Sequence, residues 1–327
     1  IGWYKRTFMA ECCLIDGGCL SLCFDGVYMD STLYINGREV GYNKYGYSSF
    51  EHDITPYVKV GLNTIVMRVR FEAPNSRWYS GAGIYRNVWF KTSGLVSIPE
   101  NGVYICTNGQ GGKAAIETAV LNRKGETAVG EVIHSIFDCF GNEIAFDRAE
   151  FEAPAGMAVH NYQVLFVDNP ELWSIENPNM YTLHTAVFIE GEIIDFVETN
   201  FGFRTTLFTS DKGFFLNGEH VKLKGVCLHH DLGALGAAVN EAAIRRQLEL
   251  MKSMGANAIR TTHNMPAREV MDFCDNIGLL VVSEAFDMWE TPKNQYDYSR
   301  FFEEWAKVDV ESWVKRDRNH PSLIMWS

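Results

Sequence analysis

Alternating apolar and polar residues dominate the first 200 positions of the chain and predict β-strands. The stretch NTIVMRVRFE places apolar residues at positions 65, 67, 69 and 71, with arginines between them. Asn36-Gly37 joins two such runs and is a dipeptide typical of a tight hairpin. Residues 1–93 show no helical period, so they predict a β-sandwich. Residues 94–205 also alternate, after the turn-rich opening SGLVSIPENG, and predict a second small sandwich.

The pattern changes after residue 205, where helical periods alternate with short apolar strands. In EAAIRRQLELMKSMG, Ile244, Leu248 and Met251 share one helix face, and Gly255 ends the helix. AREVMDFCDNIG predicts a second helix, ended by Gly278. ANAIRTT and LLVVSEA predict strands, and the continuous apolar run of the second marks burial on both faces of a parallel sheet.

A third helix is predicted from about residue 299 to 318, before the apolar strand LIMWS. Its predicted inward face consists of Phe302, Trp305, Val308, Ser312 and Lys315. Residues 206–327 thus contain four strands alternating with helices, and no glycine-rich phosphate loop follows the first strand. This argues against a dinucleotide-binding fold and predicts the first half of a (β/α)8 barrel.

Composition and charge exclude several classes of partner. The chain has 327 residues and a net charge of −12, which argues against a nucleic-acid partner. No apolar run reaches the ~18 residues of a membrane helix, so no membrane partner is predicted. The eight cysteines lack CxxC spacing and predict free, mostly packed thiols. This favours a cytoplasmic location; a periplasmic or secreted one stays open, because a signal peptide could precede the first residue.

Ionisable and aromatic residues collect where the predicted barrel strands end, which is the catalytic face of such barrels. They are His229, His230 and Asp231 after strand one, His263 and Asn264 after strand two, Glu284, Asp287 and Trp289 after strand three, and Trp326 on strand four. The sequence therefore predicts a pocket at this edge of the sheet.

Simpler interpretations of these residues stay open. His230 could face solvent in a loop, and His229 and His263 could be buried structural histidines. Glu284 could pair with Arg260 on the neighbouring strand. Trp289 could belong to a hydrophobic core.

Two other kinds of catalytic site are disfavoured by the motifs. The side chains of the adjacent residues in HHD point in different directions, and no HExxH spacing is present. A metal hydrolase is therefore the weaker interpretation. A serine nucleophile is weaker still, because the GxSxG elbow is absent.

Several long motifs occur in the same order as in a known family. They are SRWYSGAGIYRNVWF (76–90), FGFR (201–204), KGVCLHHD (224–231), NAIRTTHN (257–264), EAFDMW (284–289) and RDRNHPSLIMWS (316–327). With them the chain resembles glycoside hydrolase family 2, most closely its β-galactosidase branch. The resemblance implies a jelly-roll sugar-binding domain (1–93), an immunoglobulin-like sandwich (94–205) and a catalytic TIM barrel (206–327).

The resemblance also implies roles for individual residues in a retaining β-galactosidase. His263 would contact the sugar and His229 would help stabilise the transition state. The implied substrate-binding residues are Asn264, Asp231, Glu284, Asp287, Trp289 and Trp326. In the family, the general acid/base glutamate would fall four positions beyond Ser327 and the nucleophilic glutamate further on. Neither catalytic glutamate is then among these 327 residues, so the chain alone is expected to be inactive, as a fragment that also lacks its extreme N-terminus.

The resemblance implies partners and, in some relatives, a metal. Some relatives bind magnesium through an acid and a histidine shortly after strand three, and sodium is also possible; FDMWE does not match that pair, so no cofactor is expected with certainty. The expected substrate is a β-galactoside, and the intact enzyme is expected to be a homo-oligomer. Two alternatives stay open: a non-catalytic carbohydrate-binding or scaffold protein, and a relative of the β-glucuronidase type.

Overall fold

The computed structural model describes residues 1–11 and 17–327. Its first part, here the N-terminal sandwich, consists of two antiparallel sheets ordered β1-β7-β4-β5 and β6-β2-β9, plus the short pair β3-β8. The strands are β1 (Gly2–Ala10), β2 (Gly18–Phe24), β3 (Val27–Tyr28), β4 (Ser31–Ile35), β5 (Arg38–Asn43), β6 (Phe50–Asp53), β7 (Gly61–Val69), β8 (Gly83–Ile84) and β9 (Val88–Gly94). Leu22, Leu33, Ile35 and Met67 fill the core between the sheets.

The predicted hairpin lies between β4 and β5, and Asn36 and Gly37 both adopt positive φ angles of 52° and 81°. This is the backbone that a two-residue turn requires between twisted strands. The predicted alternation of β7 is also found, since Met67 and Val69 are buried. The strand ends at Val69, however, and Phe71 lies beyond it, 36% exposed.

The second part, the middle sandwich, packs the sheet β10-β12-β11, with β15 on β12, against the sheet β14-β13-β16-β17. Its strands are β10 (Val96–Ser97), β11 (Val103–Asn108), β12 (Lys113–Asn122), β13 (Ala128–Phe137), β14 (Glu143–Ala153), β15 (Ala158–Phe166), β16 (Tyr181–Ile189) and β17 (Glu192–Phe201). The buried side chains include Val132, Ile136, Leu183 and Val187. All of these strands pair antiparallel.

The third part, the α/β unit, begins with a small antiparallel sheet and continues as a four-stranded parallel sheet in sequence order. Its elements are β18 (Thr206–Thr209), β19 (Gly213–Leu216), β20 (Glu219–His220), β21 (Gly225–Leu228), α1 (Glu241–Ser253), β22 (Ala258–Thr261), α2 (Arg268–Ile277), β23 (Leu280–Ser283), α3 (Ser299–Asp317) and β24 (Leu323–Trp326). One helix connects each pair of neighbouring parallel strands. This architecture confirms the predicted fold class, two β-sandwiches followed by part of a TIM barrel.

The ends of the first two helices follow the sequence signals. Asn240 caps α1, because its side chain accepts a hydrogen bond from the Ala243 amide at 3.0 Å. Gly278 ends α2 in the left-handed conformation, with a φ of 70°. A Cβ at that position would lie 2.2 Å from the carbonyl oxygen of Ile175, so this glycine is also required where the middle sandwich approaches the helix.

The predicted inward face of α3 is only partly correct, because Phe302 and Trp305 pack against a core cluster whereas Val308 and Lys315 do not. The residues that the helix buries are Asp309, Trp313, Arg316 and Asp317, whereas Val308 is 55% exposed and Lys315 is exposed. Arg316 donates to Asp317 at 2.7 Å and to the carbonyl of Pro266 at 2.9 Å. Buried charged side chains thus share this helix with packed apolar ones, and an apolar period alone does not predict them.

The predicted packing of the cysteines is wrong for three of the six in the described ranges. Cys19 and Cys274 are buried and Cys23 is partly buried, but Cys106, Cys139 and Cys227 are exposed. Cys227, for example, alternates with Val226 and Leu228, which pack against the core. All six are free thiols, as predicted. Cys12 and Cys13 lie outside the described residues. Nowhere in ranges 1–11 and 17–327 does a helix combine the length and apolarity needed to cross a membrane.

The stretch RDRNHPS docks the α/β unit onto the middle sandwich. Asn319 accepts a hydrogen bond from the Ile105 amide and donates one to the carbonyl of Val103, both at 2.9 Å, in the manner of an added strand. His320 Nδ1 lies 2.6 Å from a carboxylate oxygen of Asp275. The carbonyl of Asp275 in turn accepts a hydrogen bond from the fully buried Trp173 at 2.8 Å. This motif therefore fixes the start of β24.

Candidate active site

Three aromatic rings meet at the carboxyl end of the parallel sheet. His229 follows β21 and His263 follows β22, and their ring centroids are 5.8 Å apart in an edge-to-face arrangement. Trp78, from the N-terminal sandwich, lies 5.3 Å from His229 and 5.6 Å from His263. We call these three side chains the ring cluster. His229 is exposed and His263 partly so, which leaves the cluster open to a ligand.

Glu284 fixes the orientation of His263. Its Oε1 lies 3.0 Å from Nδ1 of His263, and its Oε2 lies 2.6 Å from Arg260. The ion pair with Arg260 is the alternative interpretation that the sequence left open for Glu284. Because an ionised carboxylate only accepts hydrogen bonds, a neutral His263 carries its proton on Nδ1, and Nε2 is then a free acceptor.

Asp287 follows β23 at the same edge of the sheet, and two cationic side chains hold its carboxylate. It accepts hydrogen bonds from Nε of Arg77 at 2.9 Å, from Nη2 of the same residue, and from Lys293 at 2.8 Å. Burial alone would raise the pKa of Asp287, but these hydrogen bonds outweigh burial and hold the pKa below its ordinary value. Asp287 therefore stays ionised and is unsuited to donate a proton.

The cations on Asp287 also bear on magnesium. A divalent ion requires oxygen ligands that are not already neutralised, and the acid in FDMWE is paired with Arg77 and Lys293. The described residues around this stretch therefore do not fit a magnesium site. In ranges 1–11 and 17–327, no group of three or more histidine, cysteine, aspartate or glutamate side chains is arranged to hold a metal ion.

His230 does not face solvent, so that interpretation is wrong. Its ring packs edge-on against Tyr47 at 5.1 Å and lies 6.0 Å from Tyr85, and its Nε2 lies 3.1 Å from the carbonyl oxygen of Ser80. Burial, together with the charge of Arg86, lowers the pKa of His230 to about 4. Neutral His230 therefore donates to the carbonyl of Ser80 and connects the α/β unit to the N-terminal sandwich. The charge of its neighbour Asp231 opposes this lowering of the pKa of His230.

The other predicted residues differ in exposure and in what they contact. Asn264 is buried and donates to its own loop, to the carbonyl of Thr262 at 3.4 Å. Trp289 is 63% exposed and stacks on Phe302, so it is not a core residue. Trp326 is 40% exposed and packs edge-on against Trp313 at 4.6 Å.

Residues of the N-terminal sandwich were not predicted to be part of this site. Trp78 and Arg77 belong to the segment 76–90, which crosses the carboxyl end of the parallel sheet. Arg86 anchors this segment, because its buried guanidinium donates to the carbonyl oxygens of Tyr47 at 2.9 Å and Met265 at 2.8 Å. The motif SRWYSGAGIYRNVWF was the available signal, but neither periodicity nor spacing indicates that this part of the N-terminal sandwich contacts the parallel sheet.

Comparison with known proteins agrees with this architecture. Three sequence profiles match the chain: "Glycosyl hydrolases family 2, sugar binding domain" over residues 1–97, "Glycosyl hydrolases family 2" over 101–204, and "Glycosyl hydrolases family 2, TIM barrel domain" over 208–327. A relative from Bacteroides ovatus, "Beta-galactosidase BoGH2A", is 45% identical across 100% of this chain and 39% of its own length.

Solved structures show the same fold. A family 2 glycosyl hydrolase from Bacteroides cellulosilyticus superposes with a TM-score of 0.95 at 37% identity, over 99% of this chain and 42% of that one. A β-glucuronidase from Bacteroides uniformis superposes with a TM-score of 0.87 at 27% identity, over 99% and 40%. The chain thus spans about two fifths of the length of these proteins. All three segments of the chain match one family in its domain order, and the chain belongs to glycoside hydrolase family 2.

Proposed function

We propose that the protein carrying this chain hydrolyses terminal β-D-galactosides with retention, and that this chain supplies the part of the active site that positions the sugar. The observation that supports the proposal is the ring cluster of Trp78, His229 and His263 at the carboxyl end of the parallel sheet. Catalytic groups of barrel enzymes occupy this end. The named relative from Bacteroides ovatus supports the choice of sugar.

Each member of the ring cluster suits one feature of a pyranose. Nε2 of His263 accepts a hydrogen bond from a ring hydroxyl, since Glu284 engages Nδ1. The indole of Trp78 offers an apolar face for the C–H side of the sugar. His229 is exposed beside both rings and can hydrogen-bond a second hydroxyl. Such bonds accelerate hydrolysis when they strengthen as the ring flattens toward an oxocarbenium ion.

The carboxylates beside the ring cluster are poorly suited to the chemical step. Retaining hydrolysis needs a protonated acid and a nucleophilic carboxylate about 5 Å apart. Glu284 is paired with Arg260 and His263, and Asp287 with Arg77 and Lys293. We therefore place the acid/base and the nucleophile on glutamates outside these 327 residues, as the family resemblance implies. The chain alone then binds the sugar without cleaving it.

Binding and turnover by the 327-residue protein test this proposal together. Isothermal titration with phenyl β-D-galactoside should show binding, while 4-nitrophenyl β-D-galactoside should release no nitrophenol. H263A should abolish binding. H160A is the control, because His160 is half-exposed on the middle sandwich and pairs with Glu117. Absence of galactoside binding would contradict the proposal, as would nitrophenol release that H263A abolishes.

A β-glucuronide is the second candidate substrate. Arg77 and Lys293 share a single carboxylate, that of Asp287, so the pair of cations carries one positive charge in excess that a carboxylate on the sugar could meet. The structural neighbour from Bacteroides uniformis is a β-glucuronidase. Titration with phenyl β-D-glucuronide decides between the two sugars: binding at least tenfold tighter than that of the galactoside would favour the glucuronide.

A further inference from the structure

A polar cleft lies at the end of the parallel sheet opposite the ring cluster. It has a volume of about 660 Å³ and lies between the middle sandwich and the start of β24. Its walls come from β11, from the linker that follows β17, and from the residues just before β24. We call it the basic cleft, after the three cationic side chains that line it: Arg204, Arg318 and His320.

No aspartate or glutamate is among the described residues that line the basic cleft. Two acids that act on these cations, Asp275 and Glu117, are already engaged. Asp275 accepts from His320 Nδ1 at 2.6 Å and from the Ser322 amide at 3.0 Å. Glu117 pairs with His160 at 2.6 Å. The lining also includes Thr205 and Thr206, whose hydroxyls suit an oxygen-rich ligand.

Two guanidinium N–H groups at the basic cleft lack a partner within the described part of the chain. Nη1 of Arg204 and Nε of Arg318 are buried, and neither makes a hydrogen bond. Arg204 otherwise donates to the carbonyl of Leu323 at 2.5 Å. Arg318 donates to the carbonyl of Asn101 at 3.1 Å, and its guanidinium lies over the ring of Tyr104, 4.7 Å from the centroid. Neither arginine is paired with a carboxylate by these contacts, and a buried guanidinium with an unused donor, such as that of Arg204, is costly unless an anion joins it.

All three cations are charged at neutral pH. Burial lowers the pKa of Arg204 only to about 10. Burial alone would lower the pKa of His320 as well, but the charge and hydrogen bond of Asp275 raise it to about 9. Asp275, Asp317 and Asp272 all act on His320, but Arg204 and Arg318 donate to backbone carbonyls and not to these acids. The positive charge that remains at the two arginines is one that a singly charged ligand would neutralise.

We propose that the basic cleft binds an oxyanion through Arg204 and Arg318. Guanidinium groups bind the oxygens of carboxylate, sulfate and phosphate with charge-assisted hydrogen bonds. The anion has two chemically equivalent sources, a free small anion or the carboxylate of an acidic side chain on a second copy of this chain. The proposal is independent of the sugar site, which lies at the other end of the sheet.

Sulfate is the probe that tests the site. Sodium sulfate is titrated into the 327-residue protein by calorimetry and thermal melting, with sodium chloride holding the ionic strength constant. We expect saturable binding and a rise in Tm that levels off. R204M and R318M should each weaken binding at least tenfold. R148M should retain it, because Arg148 is 65% exposed on the outer sheet of the middle sandwich.

R318M keeps the test decisive if R204M fails to fold, since Arg318 is the more exposed of the two. Sedimentation at several protein concentrations distinguishes the sources of the anion. Saturable sulfate binding by a monomer indicates a free anion. Self-association that sulfate reverses and R318M abolishes indicates a carboxylate of a second copy. The proposal is overturned if sulfate shifts the Tm equally and without saturation in the wild type, R318M and R148M, with no association that depends on Arg318.

Discussion

Arg77 of the N-terminal sandwich binds Asp287 of the α/β unit through both Nε and Nη2, across 210 positions of the chain. Asp287 is nearly buried, whereas the Arg77 side chain is half-exposed. The contact places Trp78, the next residue, against His229 and His263. The segment 76–90 therefore forms a wall of the candidate site, and its attachment to the sheet determines the shape of that site.

Removing the Arg77–Asp287 contact should affect the site more than the stability of the fold. R77M should lower the free energy of unfolding by about 1 kcal/mol or less, because Arg77 is half-exposed and Lys293 still pairs with Asp287. It should nevertheless weaken galactoside binding several-fold, since Trp78 loses its anchor. Urea denaturation and titration calorimetry measure the two effects. Unchanged sugar affinity in R77M would show that Asp287 does not position Trp78.

Acid should weaken the same contact. The pKa of Asp287 is depressed in the folded protein, so its contribution to stability is present above the pKa of the unfolded state, near 4. That contribution is lost as the pH falls through the still lower pKa of the folded state. D287N should flatten the pH dependence of unfolding below pH 4 relative to the wild type. Curves that stay parallel would argue against an ionised Asp287.

His320 should make the interface with the middle sandwich sensitive to alkali. Burial opposes its charge, but the charge and hydrogen bond of Asp275 raise the pKa of folded His320 to about 9, above its ordinary value of 6.5. The stabilisation is therefore complete below about pH 6.5 and disappears as the pH rises through 9. The loss in unfolding free energy between pH 6 and pH 10 should be on the order of 3 kcal/mol. Urea midpoints at both pH values measure it, and H320Q should remove most of the difference.

Trp173 should act as a rigid connector between the middle sandwich and α2. The residue is fully buried, and its indole donates to the carbonyl of Asp275 at 2.8 Å. W173F, which removes the donor and part of the ring, should cost about 1–2 kcal/mol. W173A, which leaves a large cavity, should cost about 3–5 kcal/mol. Equal unfolding free energies for W173F and the wild type would show that the hydrogen bond contributes nothing.

Arg86 should not tolerate replacement by lysine. Its planar guanidinium reaches the carbonyls of Tyr47, Met265 and Pro266 at once, which a single ammonium group cannot do. R86K should lower the free energy of unfolding by about 2 kcal/mol, whereas R148K, on the exposed Arg148, should leave it unchanged. An R86K protein as stable as R148K would contradict the role of the guanidinium as an anchor.

Local features of the fold could be read from the sequence because they depend on short-range chemistry. Asn36-Gly37 specifies a turn that needs positive φ at both positions, and Gly278 ends a helix for a similar reason. The alternation of strands and helices after residue 205 indicated the parallel sheet, and with it the edge at which His229 and His263 lie. The roles assigned to these residues remain predictions.

Contacts between distant segments could not be predicted in the same way. Nothing local to Arg77 or Trp78 indicates that they cross to the sheet edge, and nothing local to His230 reveals the tyrosines around it. The buried charged residues of α3 could not be predicted for a related reason. Asp309 and Arg316 are buried because Tyr298 and Asp317 satisfy them, and such pairing depends on the assembled structure.

A double-mutant cycle on the ring cluster tests the central claim, that Trp78 and His263 bind one sugar together. Titration calorimetry with methyl β-D-galactoside would be run on the 327-residue protein and on W78A, H263A, the double variant and the control H160A. We expect each single change to weaken binding about tenfold, the double change to weaken it by less than the product, and H160A to match the wild type. Wild-type affinity in both W78A and H263A would contradict the account.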